Sequence, residues 1–192
     1  MKTEFEFKTL SGRVWPDFER LMGEKGGCGG CWCMSWRVPQ GGKLWNEMKG
    51  ENAKKAMKKL AAEGKARGII AYAGGEPVAW CTFGPRADFP RLERVKAYQS
   101  EDADGVWSVP CFYIKPGWRG KNLSFLLLGR AVDEAKRCGA KMIEGYPATL
   151  TKLGGKLPAA FVWVGPEVIF QRHGFKEVAR RAVSRPLYRK VV

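Results

Sequence analysis

Histidine and acidic residues are scarce in this chain of 192 residues. It has one His, and 19 Asp and Glu stand against 34 Lys and Arg, so the net charge is +15. Such a field favours anionic partners, which include nucleic acid, a membrane surface or a phosphorylated cofactor. The single histidine, His173, precedes Gly174 at a predicted helix end, where a cation is favoured, and we interpret it as structural.

Long apolar segments are also absent. No run of 18 apolar residues occurs, which excludes a membrane-spanning helix, and the first eight residues do not resemble a signal peptide. We therefore expect a soluble cytoplasmic protein that makes no membrane contact, with its six cysteines as reduced thiols. There is no internal repeat or low-complexity linker, and 45% hydrophobic residues suffice for one packed domain over residues 1–192.

Three of the cysteines lie close together in a loop that is also rich in Gly and Trp, the Cys-rich loop (residues 26–45). Cys28, Cys31 and Cys33 would need a fourth ligand to hold zinc, such as His173 or water. Reduced thiols in a packed loop are the favoured interpretation, and we predict no metal site.

Hydrophobic periodicity predicts a mixed sheet covered by helices. Apolar residues at helical spacing indicate helices over residues 14–22, 52–63 and 124–138, and a short helix with Pro166 at its first position. Apolar, β-branched runs predict strands over residues 68–72, 77–83, 106–114, 141–146, 175–183 and 187–192. A hairpin followed by a strand–helix–strand unit indicates a single α/β (α+β) domain. The lysines on the second helix, Lys54, Lys55, Lys58 and Lys59, read as a solvated face or, alternatively, as a nucleic-acid stripe.

The most informative segment runs from the strand ending at Ile114 into the 124–138 helix. The first amides of a helix lack intrahelical partners and carry partial positive charge, so an anion such as pyrophosphate binds there. Arg119 and Lys121 add full charges, and Gly120 lets the backbone approach closely.

At this point the chain resembles the GNAT superfamily of N-acetyltransferases. The family's loop, Arg/Gln-x-x-Gly-x-Gly/Ala, corresponds here to Arg119-Gly120-Lys121-Asn122-Leu123-Ser124, with Asn122 and Ser124 as departures. A late Tyr-x-x-x-Gly-Phe pattern of the family corresponds to residues 170–175, where Phe170 replaces the tyrosine. The resemblance covers residues 65–192. The Cys31-Trp32-Cys33-Met34 segment, Ala79-Trp80 and residues 144–147 look like a bacterial branch of the superfamily.

The resemblance implies a mostly antiparallel sheet with a splayed central strand pair and flanking helices. Residues 65–192 would form the cofactor-binding core and residues 1–64 a helical, acceptor-side segment. Acetyl-CoA, as co-substrate, would lie between the 106–114 and 141–146 strands. Its predicted contacts are Phe112, Tyr113, Ile114, Arg119, Gly120, Lys121, Asn122, Leu123, Ser124 and Phe170.

The implied reaction is direct attack of a neutral primary amine in a ternary complex, with a backbone N–H near Cys111 or Phe112 polarising the thioester carbonyl. Glu144 is the predicted base. The usual acid is in doubt because Phe170 carries no proton, so Tyr146 or Tyr113 substitutes, or no acid is needed.

Trp32, Trp36 and Trp80 are predicted to wall the acceptor pocket, because aromatic faces pack against organic substrates and cations. A small-molecule amine is the expected acceptor, and the protein is expected to be a monomer or homodimer. The alternatives are a basic nucleic-acid-associated binding protein, or an acetyltransferase acting on protein lysines or N-termini.

Overall fold

Seven strands form one sheet at the centre of the molecule. The computed structural model describes residues 4–100, 104–149 and 163–192. In chain order the strands are β1 (Glu6–Thr9), β2 (Arg67–Ala73), β3 (Glu76–Pro85), β4 (Val106–Ile114), β5 (Met142–Gly145), β6 (Lys176–Ala179) and β7 (Leu187–Val191). The spatial order is β1-β2-β3-β4-β5-β7-β6, and every neighbouring pair is antiparallel except β4 and β5.

Five α-helices accompany the sheet within the described residues. They are α1 (Trp15–Met22), α2 (Lys43–Met48), α3 (Glu51–Ala62), α4 (Leu123–Arg137) and α5 (Glu167–Arg172). Helix α4 is the crossover between β4 and β5, as a parallel strand pair requires. Short 3₁₀ turns occupy much of the stretch between β3 and β4.

Alternating side chains divide the core into two layers. Ile70, Tyr72 and Trp80 face one side of the sheet, where α1, α3 and the Cys-rich loop cover them. The residues between them in sequence, such as Ile69, Ala71 and Ala79, face α4 and α5 on the other side. Each helix turns one apolar face inward, as with Leu123, Leu127 and Ala131 of α4.

The observed architecture confirms the predicted fold class, a mixed and mostly antiparallel sheet with flanking helices. The 106–114 strand has the predicted bounds, and the other predicted strands and helices are present with ends that differ from the predicted ones by at most four residues. Pro166 is the N-cap of α5 instead of its first helical residue.

Two elements were not predicted. β1 is a four-residue edge strand whose residues are mostly exposed, so it carries little hydrophobic pattern. α2 has six residues and no buried side chain, which leaves no apolar stripe to detect. Because β1 pairs with β2, the N-terminal 64 residues contribute to the sheet as well as to the helical layer.

Candidate active site

A fork opens between β4 and β5 at the centre of the sheet. The parallel ladder runs from Val106–Met142 to Val109–Gly145 and ends there, although β4 continues to Ile114. Pro110 follows the last paired residue and has no N–H to donate. The β3–β4 register also shifts between Thr82 and Gly84, a β-bulge that gives β4 one extra residue at this level. Proline and a bulge together end the pairing and bend the strand away.

The free edge of β4 presents an amide to the fork. Phe112 N–H donates to the Trp163 carbonyl at 2.6 Å, whereas Lys115 N–H points the other way, to Val78 O at 3.0 Å. Since successive amides alternate along a strand, the Ile114 N–H lies on the same edge as that of Phe112. The segment that begins at Trp163 also bonds to the chain that follows β5, because Ala148 N–H donates to Gly165 O at 2.9 Å. The Phe112 N–H, which we predicted to pair with the cofactor, thus bonds a carbonyl group of the protein itself in this structure.

The loop between β4 and α4 is built on left-handed residues. Gly117, Gly120 and Asn122 have φ values of 84°, 77° and 62°. Asparagine tolerates this conformation better than most non-glycine residues, which explains how Asn122 stands where the family pattern has glycine. A Cβ placed on Gly120 would meet no atom within 4 Å, so the backbone is open to approach on that side.

Positive charge gathers where this loop enters α4. Arg119 and Lys121 are exposed, and the first turn of the helix contains no acidic residue. Arg119 Nε lies 3.4 Å from Ile114 O, and Lys121 Nζ lies 4.6 Å from the Trp118 ring centroid. Together with the unpaired first amides of a 15-residue helix, these groups form a site suited to a diphosphate.

Glu144 and Tyr146 belong to a buried polar network. Arg86 and Tyr146 both donate to Glu144 Oε2, and Arg189 Nε donates to Oε1 at 2.8 Å. Tyr146 Oη also lies 2.7 Å from Ser108 Oγ and 2.9 Å from Arg86 Nη1. Glu144 and Tyr146 are both 0% exposed. The network ties β4, β5 and β7 to the stretch between β3 and β4.

This geometry argues against the predicted catalytic roles of the pair. Both oxygens of Glu144 accept hydrogen bonds inside the protein, two of them from cationic groups, so the carboxylate is not positioned to take a proton from an amine. Burial raises the pKa of Tyr146 well above its usual value, and its hydroxyl is held by Glu144, Arg86 and Ser108. The structure therefore favours a structural role, which the sequence did not indicate because Arg86 and Arg189 lie far from Glu144 along the chain.

Phe170 fills the base of the fork from the α5 side. Its ring lies against the end of β5, where a Cβ on Gly145 would be 2.0 Å from Phe170 Cε1. It also packs edge-on against Phe112 and Phe175, with centroid distances of 6.4 and 5.3 Å. Phe170 is fully buried, and in this structure its side chain packs in the core.

The predicted acceptor-pocket tryptophans occupy different environments. Trp80 is completely buried and contacts Phe18, and Trp32 stacks on Trp15 in the same core. These two residues support the loop from within. Trp36 is also buried, but it packs against Trp163, the residue whose carbonyl meets the fork. Of the three, Trp36 is the one next to the fork.

Tyr113 lies on the face of β4 that α1, α3 and the Cys-rich loop cover. Its side chain is partly exposed and borders the Cys-rich loop, since a Cβ on Gly27 would lie 3.8 Å from the Tyr113 ring. Burial raises the pKa of Tyr113, against the opposing charge of Arg119. A protonated phenol therefore lies beside this loop, within electrostatic range of Arg119.

Two residues of the fork were missed by the sequence analysis, namely Pro110 and Trp163. A proline inside an otherwise strand-like run is a signal for an edge or a bulge, and it was available at Pro110. Trp163 follows residues 150–162, which lie outside the described part of the chain.

No group of three or more His, Cys, Asp or Glu side chains in the described ranges is arranged to hold a metal ion. None of the described helices combines the length and apolar character needed to cross a bilayer. Of the lysines on α3, Lys54 is paired with Glu19, whereas Lys55, Lys58 and Lys59 are exposed.

Solved structures share this fold across nearly the whole chain. A putative acetyltransferase from Acinetobacter baylyi superposes with a TM-score of 0.57 at 12% identity, covering 100% of this chain and 95% of that one. An N-acetyltransferase from Staphylococcus aureus gives 0.55 at 10% identity, covering 98% and 99%. A GCN5-related N-acetyltransferase from Kribbella flavida gives 0.54 at 13% identity, covering 98% of each chain. At these identities the likeness concerns the fold.

Sequence comparison supplies the family. No curated protein matches the chain. The model of the Acetyltransferase (GNAT) family matches residues 33–147, more than half of the chain, including the fork strand β4, the charged loop and α4. The narrower resemblance to a bacterial branch stays a prediction. The match and the forked sheet agree, and the chain belongs to the GNAT family of acetyltransferases.

Proposed function

We propose that this protein is an acetyl-CoA-dependent N-acetyltransferase whose acceptor is the primary amine of a small molecule. The observation that carries the proposal is the fork between β4 and β5, which opens beside a positively charged helix start. Bound acetyl-CoA supplies an activated acetyl thioester. The remaining chemistry belongs to the chain's own groups.

The diphosphate of the cofactor binds at the start of α4. The amides of Leu123 and Ser124 have no partners within the helix, and Arg119 and Lys121 supply charge. The left-handed turn at Gly120 and Asn122 exposes the backbone that faces the anion. These residues fit a phosphorylated ligand in both charge and shape.

The edge of β4 receives the rest of the cofactor. The Ile114 amide pairs with the pantetheine arm, and the Phe112 N–H polarises the thioester carbonyl. Supporting this, the Phe112 amide already bonds a carbonyl oxygen, that of Trp163 at 2.6 Å. An amide fixed in a sheet and aimed at a carbonyl is the kind of donor that stabilises a tetrahedral oxyanion. Trp163 O leaves this amide when the substrate carbonyl binds.

The acceptor enters from the side of α1, α3 and the Cys-rich loop, with Trp36 beside it. The neutral amine attacks the thioester carbonyl carbon, the C–S bond breaks, and Tyr113 protonates the departing thiolate of coenzyme A. The Tyr113 phenolate then takes up the proton that the amine nitrogen loses. Tyr113 is favoured over Tyr146 because it is partly exposed and its raised pKa keeps the phenol protonated at neutral pH.

The proposal is tested by calorimetric titration of the protein with acetyl-CoA, followed by thiol release with a panel of primary amines. We expect binding well below about 1 mM, the weak end of specific affinities. Absence of binding at that concentration contradicts the proposal. Polyamines, amino sugars and lysine-containing peptides in the panel separate small-molecule acceptors from protein acceptors.

Tyr113→Phe tests the proposed acid. We expect kcat to fall by about 10²–10⁴-fold, the usual contribution of a positioned acid, with little change in acetyl-CoA affinity. Tyr188→Phe, which changes a phenol on β7 that bonds Glu167, is the matched control and should retain activity. Equal kcat values for Tyr113→Phe and the unmodified protein would show that the thiolate leaves without this acid.

A further inference from the structure

The outer edge of β1 carries unpaired backbone groups. β1 is the first strand of the sheet, and no described residue pairs with the side of it that faces away from β2. Leu10 N–H donates to Gly68 O at 2.8 Å, so the even-numbered residues of this segment bond β2. The N–H and C=O groups that point outward are therefore those of Phe5, Phe7 and Thr9. An open edge of this kind is a template for one more strand.

The two faces of β1 differ in chemical character. Phe7 lies on the α4 side of the sheet, where the guanidinium carbon of Arg130 is 5.1 Å from its ring centroid. Glu6 and Lys8 lie on the opposite face, where Lys8 Nζ is 4.5 Å from the Tyr72 ring centroid. Both charged side chains are exposed, and neither forms an ion pair with another described residue. One face of the edge thus carries an acid and a base, two residues apart, that are available to a partner.

A groove lies beside the other face of this edge. It has a volume of about 500 Å³ and runs between β1 and α4. Phe5, Phe7 and Ile69 line it together with charged side chains of α4, namely Arg130, Asp133, Glu134 and Arg137. The side chains that an added strand turns toward α4 would border this groove.

We propose that the outer edge of β1 is the interface of a homodimer, in which two copies of β1 pair antiparallel about a two-fold axis at Phe7. Phe7 then exchanges both of its backbone hydrogen bonds with the partner's Phe7, and Phe5 does so with the partner's Thr9. Every outward N–H and C=O group of the segment is satisfied in this arrangement. The seven-stranded sheet of one copy continues into that of the other.

Charge selects this register among those that the edge allows. Residues directly opposite each other share a face, so an axis at Phe7 places Glu6 opposite the partner's Lys8 and Lys8 opposite the partner's Glu6. An axis at Glu6 would oppose two glutamates, and an axis at Lys8 would oppose two lysines. Like charges directly opposite destabilise a strand pair. A lysine on an edge strand usually discourages pairing, but this register gives it a carboxylate.

The same pattern points to a second copy of the chain as the partner. An antiparallel strand that matches Glu6 and Lys8 must itself carry an acid two residues before a base, and β1 is such a strand. Two identical edges related by a two-fold axis also close on each other, so the assembly stops at the dimer.

The interface lies away from the fork. β2 and β3 separate β1 from β4, so pairing at this edge leaves the fork of each copy open. The inference therefore does not depend on acetyl transfer.

Sedimentation velocity of the full chain over a range of concentrations tests the dimer. The interface is one short strand, so we expect a weak dimer that dissociates on dilution from about 500 to about 1 μM. Hydrogen exchange at both ends of this range locates the contact, because the amides of Phe5, Phe7 and Thr9 should exchange more slowly in the dimer. Sedimentation as a monomer throughout overturns the proposal. A dimer in which these amides exchange as fast as in the monomer also overturns it, and so does growth beyond the dimer.

Charge reversal tests the register. Glu6→Lys opposes two positive charges across the axis, and Lys8→Glu opposes two negative charges. Because a two-fold dimer contains the pair twice, each change should raise the dissociation constant about tenfold or more. The double variant Glu6→Lys/Lys8→Glu should dimerise again, and so should an equimolar mixture of the two single variants, in which opposite charges face each other.

Glu24→Lys and Lys55→Glu are the matched controls. They make the same changes of net charge at exposed positions outside β1 and should dimerise as the unmodified protein does. Equal dissociation constants for Glu6→Lys and the unmodified protein would overturn the proposed register, as would a mixture of the single variants that stays monomeric. Should a single variant fail to fold, the hydrogen exchange of the unmodified protein decides alone.

Discussion

Arg119 shows how one exposed side chain acquires a role from its position. It follows the end of β4 and precedes the left-handed turn that opens α4, so its charge adds to that of the helix start. An arginine at the other end of α4 has the same side chain but does not lie at the helix start. Arg137, in the last turn, pairs with Glu134 at 2.7 Å.

Arg119→Ala should therefore weaken acetyl-CoA binding. A charged hydrogen bond is worth about 1.5–3 kcal/mol, so the dissociation constant should rise by about tenfold or more. Arg137→Ala makes the same change of net charge and should leave the affinity nearly unchanged. Calorimetric titration of both variants measures the difference, and an equal loss in both would show that only net charge matters.

Glu144, the predicted base, lies in surroundings that suit a structural role better than a catalytic one. As a base it would influence activity, whereas in the buried network it balances Arg86 and Arg189. Removing one member of a buried ion pair leaves its partners uncompensated in the protein interior.

Glu144→Gln should accordingly lower the free energy of unfolding by about 3–5 kcal/mol, as measured by urea denaturation. Glu134→Gln, which removes one partner of the surface pair with Arg137, should cost less than about 1 kcal/mol. A Glu144→Gln protein that is as stable as the unmodified one but inactive would instead support the role of a base.

At the scale of elements, the fork depends on how α5 meets β5. Phe170 needs the missing side chain of Gly145 in order to lie against the strand end. A similar fit occurs where α4 crosses α5, because a Cβ on Gly129 would be 2.9 Å from His173 Cε1. Helix and strand approach closely only where glycine allows it.

Gly145→Ala should destabilise the protein by about 1–3 kcal/mol, the usual cost of overpacking a core. Phe170→Leu in the same chain should recover part of that loss, because a shorter side chain makes room for the new methyl group. A double-mutant cycle by urea denaturation measures the coupling. Additive effects of the two changes would contradict the contact.

At the scale of the whole molecule, ion pairs make the stability of the fold depend on pH. Arg180 bonds both Glu167 and Glu177 and so joins α5 to the β6 region. Burial on its own raises the pKa of Glu167, but hydrogen bonds from Arg180 and Tyr188 outweigh it and lower the pKa. The bond from Arg180 is the main reason that the pKa of Glu177 is lowered.

Both carboxyl groups therefore stabilise the fold fully above the ordinary value of 4.5, and this contribution is lost as the pH falls through their lower folded values. We expect Glu167→Gln to be less stable than the unmodified protein near neutral pH and to lose less further stability on acidification. Urea midpoints at about pH 7 and about pH 3 measure this. Parallel curves for the two proteins would show that Glu167 contributes nothing to acid unfolding.

Local sequence pattern was enough to predict most elements and to locate the charged loop before α4. The apolar stripes of α1, α3 and α4 specify helices by themselves, because helical periodicity is a local property. The charged loop before α4 was likewise readable from its residues, and the GNAT match includes it. Short elements without a stripe of buried apolar residues, such as β1 and α2, could not be predicted in this way.

The amino-acid pattern alone was enough to predict the fold class, the family and the charged turn that enters α4. Three contacts emerge only from the folded chain: Glu144 lies between two arginines, the Trp163 carbonyl accepts from the Phe112 amide, and Trp80 donates to the Cys33 sulfur. These contacts join residues that are far apart in the chain, so no local pattern contains them. Their chemistry depends on burial and on charges brought from several elements, which exist once the sheet and its helices have packed.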